Sequence, residues 1–96
     1  MIALEDEQLN ILKNILKKYF SSQEIRVFGS RYKHTNNKFS DIDVVIVGKE
    51  KIDISTFSKV KEELQESDLK YRVDLLDWNI ISDEFKKVIE EGYEII

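Results

Sequence analysis

The chain has 96 residues, which suits a single domain over residues 1–96 built around one hydrophobic core. Its apolar fraction of 42% is typical of folded proteins, and no apolar run approaches the ~20 residues that span a bilayer. The net charge of −4 argues against sequence-independent binding to DNA or RNA. The absence of cysteine excludes disulfides and thiolate metal sites, and it fits a cytoplasmic location.

The first third of the chain predicts a helix followed by a strand. Apolar residues at helical spacing predict an amphipathic helix over residues 6–20. Its apolar stripe consists of Leu9, Leu12, Leu16 and Tyr19, widened by Ile11 and Ile15. Residues 25–28 predict a short strand that leads into Gly29. The polar segment 31–39 then predicts a loop that begins with a short helical turn after Ser30.

The remaining chain predicts two more strands, each followed by a helix. Residues 41–47 predict a central strand covered on both sides, because apolar side chains point to both of its faces. Residues 55–66 predict a helix, and residues 71–76 predict a third strand. A last helix is expected from a Ser82 cap to about residue 91, with Gly92 as its stop. Its predicted inward residues are Phe85, Val88 and Ile89. This order predicts an α/β (α+β) fold in which helices pack on a small mixed sheet.

Two aspartates head the predicted central strand. Aspartate is depleted in strands, and an ionised carboxylate near a core is costly unless it is paired or bound to a metal. Asp41 and Asp43 lie two residues apart, so their side chains share one face of the strand. Carboxylate oxygens of this kind suit Mg²⁺. The competing interpretation is a turn residue followed by an ordinary surface charge.

A glycine-serine pair follows the first predicted strand. Gly29-Ser30 alone is a common turn, but here it opens a segment that starts a helical turn. Backbone N–H groups at such a turn can point at phosphate oxygens. Arg31 and Lys33 follow directly, and no acidic residue occurs from 25 to 40. Gly29, Ser30, Arg31 and Lys33 are therefore predicted to bind a nucleotide, with a solvated basic loop as the alternative.

A third carboxylate is available in the next strand. Asp74 and Asp77 are three residues apart and face opposite sides of a strand, so only one joins the first pair. Asp74, flanked by Val73 and Leu75, is the preferred candidate. Three carboxylates with two metal ions suit phosphoryl or nucleotidyl transfer. Asp74 is expected either to ligate a metal or to accept the proton of the acceptor hydroxyl.

These motifs resemble the minimal nucleotidyltransferases of the DNA polymerase β-like superfamily, whose signature is Gly-Ser, a spacer, Asp-x-Asp and a later Asp. The corresponding residues here are Gly29, Ser30, Asp41, Asp43 and Asp74. The resemblance implies a mixed sheet, an NTP substrate (most readily ATP) and two Mg²⁺ ions held by the three aspartates. One departure is His34, where many relatives carry a glycine a few residues after Gly-Ser-Arg.

The resemblance also implies a partner, because small bacterial and archaeal members are often encoded beside a helical HEPN-type protein. In such pairs the nucleotidyltransferase can act as an antitoxin by transferring AMP to its partner. We therefore expect AMP transfer to a hydroxyl, plausibly on such a partner. The alternatives are an antitoxin that acts by contact alone, for example through residues 92–96, and a small-molecule adenylyltransferase. Self-association into a homo-oligomer is left open by the sequence.

Overall fold

A computed structural model describes all 96 residues. The helices are α1 (Asp6–Tyr19), α2 (Ser30–Lys33), α3 (Ile54–Glu66) and α4 (Asp83–Glu90), and a 3₁₀ turn covers Trp78–Ile80. The strands are β1 (Glu24–Phe28), β2 (Ile42–Val47), β3 (Val73–Asp77) and β4 (Glu94–Ile95). Every predicted helix and strand is present, and its ends lie within two residues of those expected. The 3₁₀ turn and β4 were not predicted, since both are too short to show a periodic pattern.

The four strands form one mixed sheet in the order β3-β2-β1-β4. Strand β1 is antiparallel to both of its neighbours, whereas β2 and β3 are parallel. The central position predicted for β2 is confirmed, because both of its faces are covered. Ile42, Val44 and Ile46 join the main core, to which α1 and α3 contribute. Val45 points to the other face, where it packs with Phe28 and Ile89 of α4.

Fewer side chains of helix α4 are buried than the sequence predicts. Ser82 caps it as expected, since the Ser82 hydroxyl accepts from the Phe85 amide at 3.1 Å. Ile89 is fully buried, but Val88 is 48% exposed, so the prediction that Val88 faces inward was wrong. Phe85 lies at the margin, where its ring meets that of Phe28 edge-on at 5.9 Å. The helix has only eight residues, and Ile89 near its C-terminal end is the only one of them that is buried.

The C-terminal segment completes the sheet. The Gly92 amide donates to the carbonyl of Ile89, which ends α4 as predicted. Strand β4 then pairs with β1, and Ile96 is buried in the main core. Ile95 alone keeps an exposed apolar side chain there. Most of the segment expected as a contact site therefore packs within this chain.

None of the helices has the length and apolar character needed to cross a membrane.

His34 ends α2 in a conformation that glycine adopts more readily. Its φ of 60° and ψ of 33° lie in the left-handed region, and its amide donates to the Ser30 carbonyl. Histidine is among the few residue types enriched there. The imidazole Nε2 is in hydrogen-bonding contact with the Met1 carbonyl, which gives the side chain a local partner. The turn thus takes a shape suited to glycine with a larger residue in place.

This conformation predicts how substitutions at His34 rank in stability. We expect His34→Val to be less stable than His34→Gly by about 1–2 kcal/mol, because a β-branched residue is strained in the left-handed region. Urea unfolding of both variants measures the difference. Thr35→Val, at the exposed neighbouring position, is the control and should change stability little. Equal stabilities for the Gly and Val variants would contradict the left-handed turn.

Candidate active site

The glycine-serine turn lies directly beside the second aspartate of the Asp-x-Asp pair. Phe28 at the end of β1 is opposite Asp43 near the start of β2, so these two strand ends meet at one end of the sheet. Gly29 has φ 76° and ψ −153°, a combination essentially restricted to glycine. A Cβ atom at Gly29 would overlap the Oδ2 atom of Asp43. Glycine is therefore required here both for its backbone conformation and for the close approach of the carboxylate.

Three aspartates lie at this end of the sheet, close enough to influence one another electrostatically. Asp43 and Asp74 are direct neighbours on the parallel strands β2 and β3, so their side chains emerge on the same face. Asp41 precedes Asp43 by two residues. Burial raises the pKa of Asp43 above its ordinary value, and the negative charges of Asp74 and Asp41 raise it further. Asp41 and Asp74 are exposed, which leaves the cluster open to solvent.

The position of Asp77 explains why it does not belong to this cluster. Its side chain is buried, and its carboxylate accepts from the amides of Ile52 at 2.8 Å and Asn79 at 3.0 Å. These bonds hold the loop after β2 and the 3₁₀ turn after β3. In this register Asp74, and not Asp77, shares a face with Asp43.

Arg31 has a different environment from the one the sequence suggested. It was expected to contact phosphate, but its side chain is buried, with only 2% exposed. The guanidinium donates to the Ser40 carbonyl through Nε and Nη2, at 3.1 and 2.8 Å, and to the Ala3 carbonyl through Nη1 at 2.8 Å. It also stacks on the Tyr71 ring at 4.0 Å. Arg31 therefore ties α2 to the residue before Asp41 and is not free to bind phosphate.

Two other residues expected to contact the nucleotide, Ser30 and Lys33, are more accessible to solvent than Arg31. Ser30 is half-buried as the first residue of α2, and Lys33 is exposed on the same short helix. The Gly29 carbonyl accepts from the Lys33 amide at 2.9 Å, which closes the helical turn. Arg26 packs away from solvent between Tyr93 and Trp78 and is ion-paired with Glu24. Lys33 is therefore the basic residue of α2 that is free to meet a ligand.

Sequence reasoning missed one contact that holds α2 in place. The Tyr32 ring lies against Gly92, where an added Cβ would come within 2.5 Å of the Tyr32 Cε2 atom. The two residues are sixty positions apart, so no local pattern connects them. Gly92 was predicted only as a helix stop. Its lack of a side chain also makes room for the ring that anchors the glycine-serine turn.

The carboxylates supply the donor chemistry of a divalent-metal site. Three carboxylates offer hard oxygen ligands, and the repulsion between them favours a bound cation. In the described conformation, no three acidic or histidine side chains already converge closely enough to enclose an ion. The residue types and their shared face fit a hard divalent cation, with the side chains in an open arrangement.

The chain also has two surface cavities, neither of which includes the aspartate cluster. The larger, of about 1040 Å³, lies at the opposite end of the sheet and includes Gln23, Gly48 and Lys51. The smaller, of about 550 Å³, lies between α3 and the start of β3. The aspartate cluster therefore lies outside both cavities, with Asp41 and Asp74 exposed on the surface.

Comparisons with known proteins agree with this geometry. The family model "Polymerase beta, Nucleotidyltransferase" matches residues 10–96. Over 95 residues the chain is 39% identical to the probable protein adenylyltransferase MntA of Haemophilus influenzae, covering 99% of this chain and 83% of the relative.

Solved structures share the fold at lower identity. A crystal structure of a toxin-antitoxin with AMP-PNP has a TM-score of 0.76 at 22% identity, covering 96% of this chain and 72% of that one. A structure of a tri-AMPylated HEPN toxin from Shewanella oneidensis in complex with MNT antitoxin has a TM-score of 0.71 at 19% identity. The match covers 96% of this chain and 71% of that one. From the family match and the Haemophilus relative, the chain belongs to the polymerase β nucleotidyltransferase family.

Proposed function

We propose that this chain transfers AMP from ATP to a hydroxyl group on a partner protein. The observation that supports the proposal is the pairing of Asp43 with Asp74 on one face of the sheet beside the Gly29 turn, with Asp41 close enough to influence the pKa of Asp43. The family match supports nucleotidyl transfer as the type of reaction, and the Haemophilus relative is a probable protein adenylyltransferase. A fold neighbour was solved with AMP-PNP, which supports ATP as the nucleotide.

Different residues have different roles in the proposed reaction. Members of the family generally use divalent metals, and Asp41, Asp43 and Asp74 are the residues that would hold them, as two Mg²⁺ ions. Such ions stabilise charge on the attacking and leaving oxygens. The Gly29-Ser30 turn and Lys33 meet the triphosphate. The acceptor hydroxyl attacks the α-phosphorus, the bond to the β-phosphate oxygen breaks, and pyrophosphate leaves. Asp74 would receive the hydroxyl proton, a role that its exposed position on the edge strand β3 supports.

The partner is expected to be a helical HEPN-type toxin. One fold neighbour is a toxin-antitoxin with AMP-PNP, and another structure contains a tri-AMPylated HEPN toxin in complex with MNT antitoxin. An open site with exposed Asp41 and Asp74 is accessible to a hydroxyl on a large protein. We infer that this chain acts as the antitoxin by modifying its toxin, and that repeated AMP transfer to one partner is part of that activity.

Loss of the Asp43 carboxylate tests the assignment. We expect Asp43→Asn to reduce AMP transfer from ATP by at least ~100-fold, because one charged ligand of the metal-nucleotide complex is lost. Mass spectrometry of the partner and pyrophosphate release measure the reaction. Asp68→Asn, an exposed aspartate away from the site, is the matched control. An Asp41→Asn/Asp43→Asn variant that still neutralises the toxin fully would instead support an antitoxin that acts by contact.

The same substitution should stabilise the fold at neutral pH when metal is absent. The pKa of Asp43 is raised by burial and by its acidic neighbours, so its ionised form is disfavoured in the folded state. Its contribution to stability is complete below the unfolded pKa of ~3.9 and is lost as pH rises through the folded pKa. We expect Asp43→Asn to unfold at higher urea than wild type at pH 7.5 in EDTA. The gap should close as pH falls toward ~4. A less stable variant at pH 7.5 would refute this account of the site's electrostatics.

Gly92 provides a test of how α2 is positioned. We expect Gly92→Ala to raise the KM for ATP by about tenfold, because the added methyl group displaces Tyr32 and with it the phosphate-binding turn. Gly48→Ala is the control, since a Cβ there meets only the flexible Gln23 side chain. Replacing Tyr32 with Leu in the Gly92→Ala background should restore part of the affinity. An unchanged KM in Gly92→Ala would show that α2 does not depend on this contact.

A further inference from the structure

Helix α4 exposes an apolar patch that consists of Phe85 and Val88. Phe85 is 36% exposed and Val88 is 48% exposed, although Ile89 of the same helix is fully buried. Phe85 and Val88 are three residues apart, so their side chains are neighbours on one flank of the helix. The α4 patch therefore offers an aromatic ring and an aliphatic side chain to a ligand at the same place.

The α4 patch lies on the face of the sheet that carries the carboxylates. Side chains of β2 alternate between the two faces, because Val44 joins the core with α1 and α3 whereas Val45 packs with Ile89 of α4. Asp43 precedes Val45 by two residues and therefore points to the α4 side. Asp74 pairs with Asp43 in the parallel register and shares that side. Helix α4 and the aspartates thus occupy one face, and α1 and α3 occupy the other.

Phe28 connects the α4 patch to the glycine-serine turn. It lies opposite Asp43 in the antiparallel pairing, on the same face, and it directly precedes Gly29. Its ring meets that of Phe85 at a centroid distance of 5.9 Å and an interplanar angle of 79°. Phe28 is only 6% exposed, so the accessible part of this aromatic pair belongs to Phe85. A ligand held at Gly29 and Asp43 is therefore one side chain away from Phe85.

The order of the strands separates the α4 patch from the side that an acceptor can approach. Asp74 is on the edge strand β3, which has no strand beyond it. Phe28 and the glycine-serine turn are on the opposite side of β2, at the end of β1. Contact with Phe28 places the Phe85 ring on this β1 side. Exposed Glu84, one turn before Val88, disfavours a further phosphate there, so an uncharged group suits the patch.

We propose that the α4 patch binds the adenine base of ATP, with Phe85 stacking on the base and Val88 contacting its edge. The inference rests on the proposed function, in which the Gly29-Ser30 turn and the aspartates hold the triphosphate. The base is the part of ATP with a flat aromatic face, and aromatic side chains bind bases by stacking. A protein partner needs a larger surface, because specific interfaces bury about 800 Å² on each side. Stacking fixes the direction of the ribose and so helps to orient the α-phosphorus toward the aspartates.

Isothermal titration with two ligands tests the stacking contact. AMP-PNP contains the base, whereas ribose 5′-triphosphate lacks it and keeps the ribose and the phosphates. With Mg²⁺ present, we expect Phe85→Ala to bind AMP-PNP about tenfold more weakly and ribose 5′-triphosphate with unchanged affinity. Phe85→Leu keeps an apolar side chain against Phe28 but loses the aromatic ring, so it should show a similar loss. Phe85→Trp should retain the wild-type affinity for AMP-PNP.

Val88 supplies a second test that disturbs the packing of α4 little, because its side chain is largely exposed. We expect Val88→Ser to weaken AMP-PNP binding about twofold to threefold, because an apolar contact with the base is lost. Ile54→Ser is the matched control. Ile54 is 75% exposed at the start of α3, the helix on the other face of the sheet, and its replacement should leave both affinities unchanged.

The two ligands separate a base contact from an effect on the position of α4. Equal losses for both ligands in Phe85→Ala and Phe85→Leu would overturn the inference, since the patch would then act only by holding the helix. So would an unchanged affinity for AMP-PNP with a raised KM for the acceptor protein, which would assign the patch to the acceptor. AMP transfer tests the proposed function separately. A wild-type chain that shows the expected binding but transfers no AMP would overturn that function and leave the base contact in place.

Discussion

The close approach of the Asp43 carboxylate to Gly29 is the constraint on which the site depends. It requires β1 and β2 to pair with Phe28 opposite Asp43, and it requires a residue without a side chain at the turn. A shift of one residue in this register would place Asp43 on the other face of the sheet, among the core side chains that contact α1 and α3. The hydrophobic pattern of β2 thus fixes the geometry of the site as well as the core.

The same arrangement concentrates negative charge without a protein cation to offset it. Arg31 lies nearby in sequence, yet its guanidinium is used by the Ser40 and Ala3 carbonyls and by the Tyr71 ring. Burial raises the pKa of Asp43, and the neighbouring negative charges of Asp74 and Asp41 raise it further. Under the proposed function, a bound metal-nucleotide complex would relieve this repulsion. On that proposal the Asp43 carboxylate is needed for the reaction although it lowers the stability of the fold.

The positions of the aspartates and the glycine-serine turn in the fold could be predicted from the sequence because their signals are local. In a strand, the Asp-x-Asp spacing puts both side chains on one face. Asp74 and Asp77 are three residues apart and therefore face opposite sides, so only one of them can join the first pair. The roles of Arg31 and Val88 were not accessible in this way. A buried arginine that binds backbone carbonyls has the same local pattern as one that binds phosphate. The helical spacing of Phe85, Val88 and Ile89 does not indicate which of them the sheet covers, and only Ile89 is buried.

Helix α2 shows why contacts that are distant in sequence matter to the chemistry. The four-residue helix is too short to be stable alone, so its orientation comes from the parts of the chain around it. The Ala3 amide donates to the Arg31 carbonyl, and the Met1 carbonyl meets His34. On another side, Gly92 accommodates the Tyr32 ring. The glycine-serine turn is therefore held by segments near both ends of the chain, and the geometry of the candidate site depends on both of them.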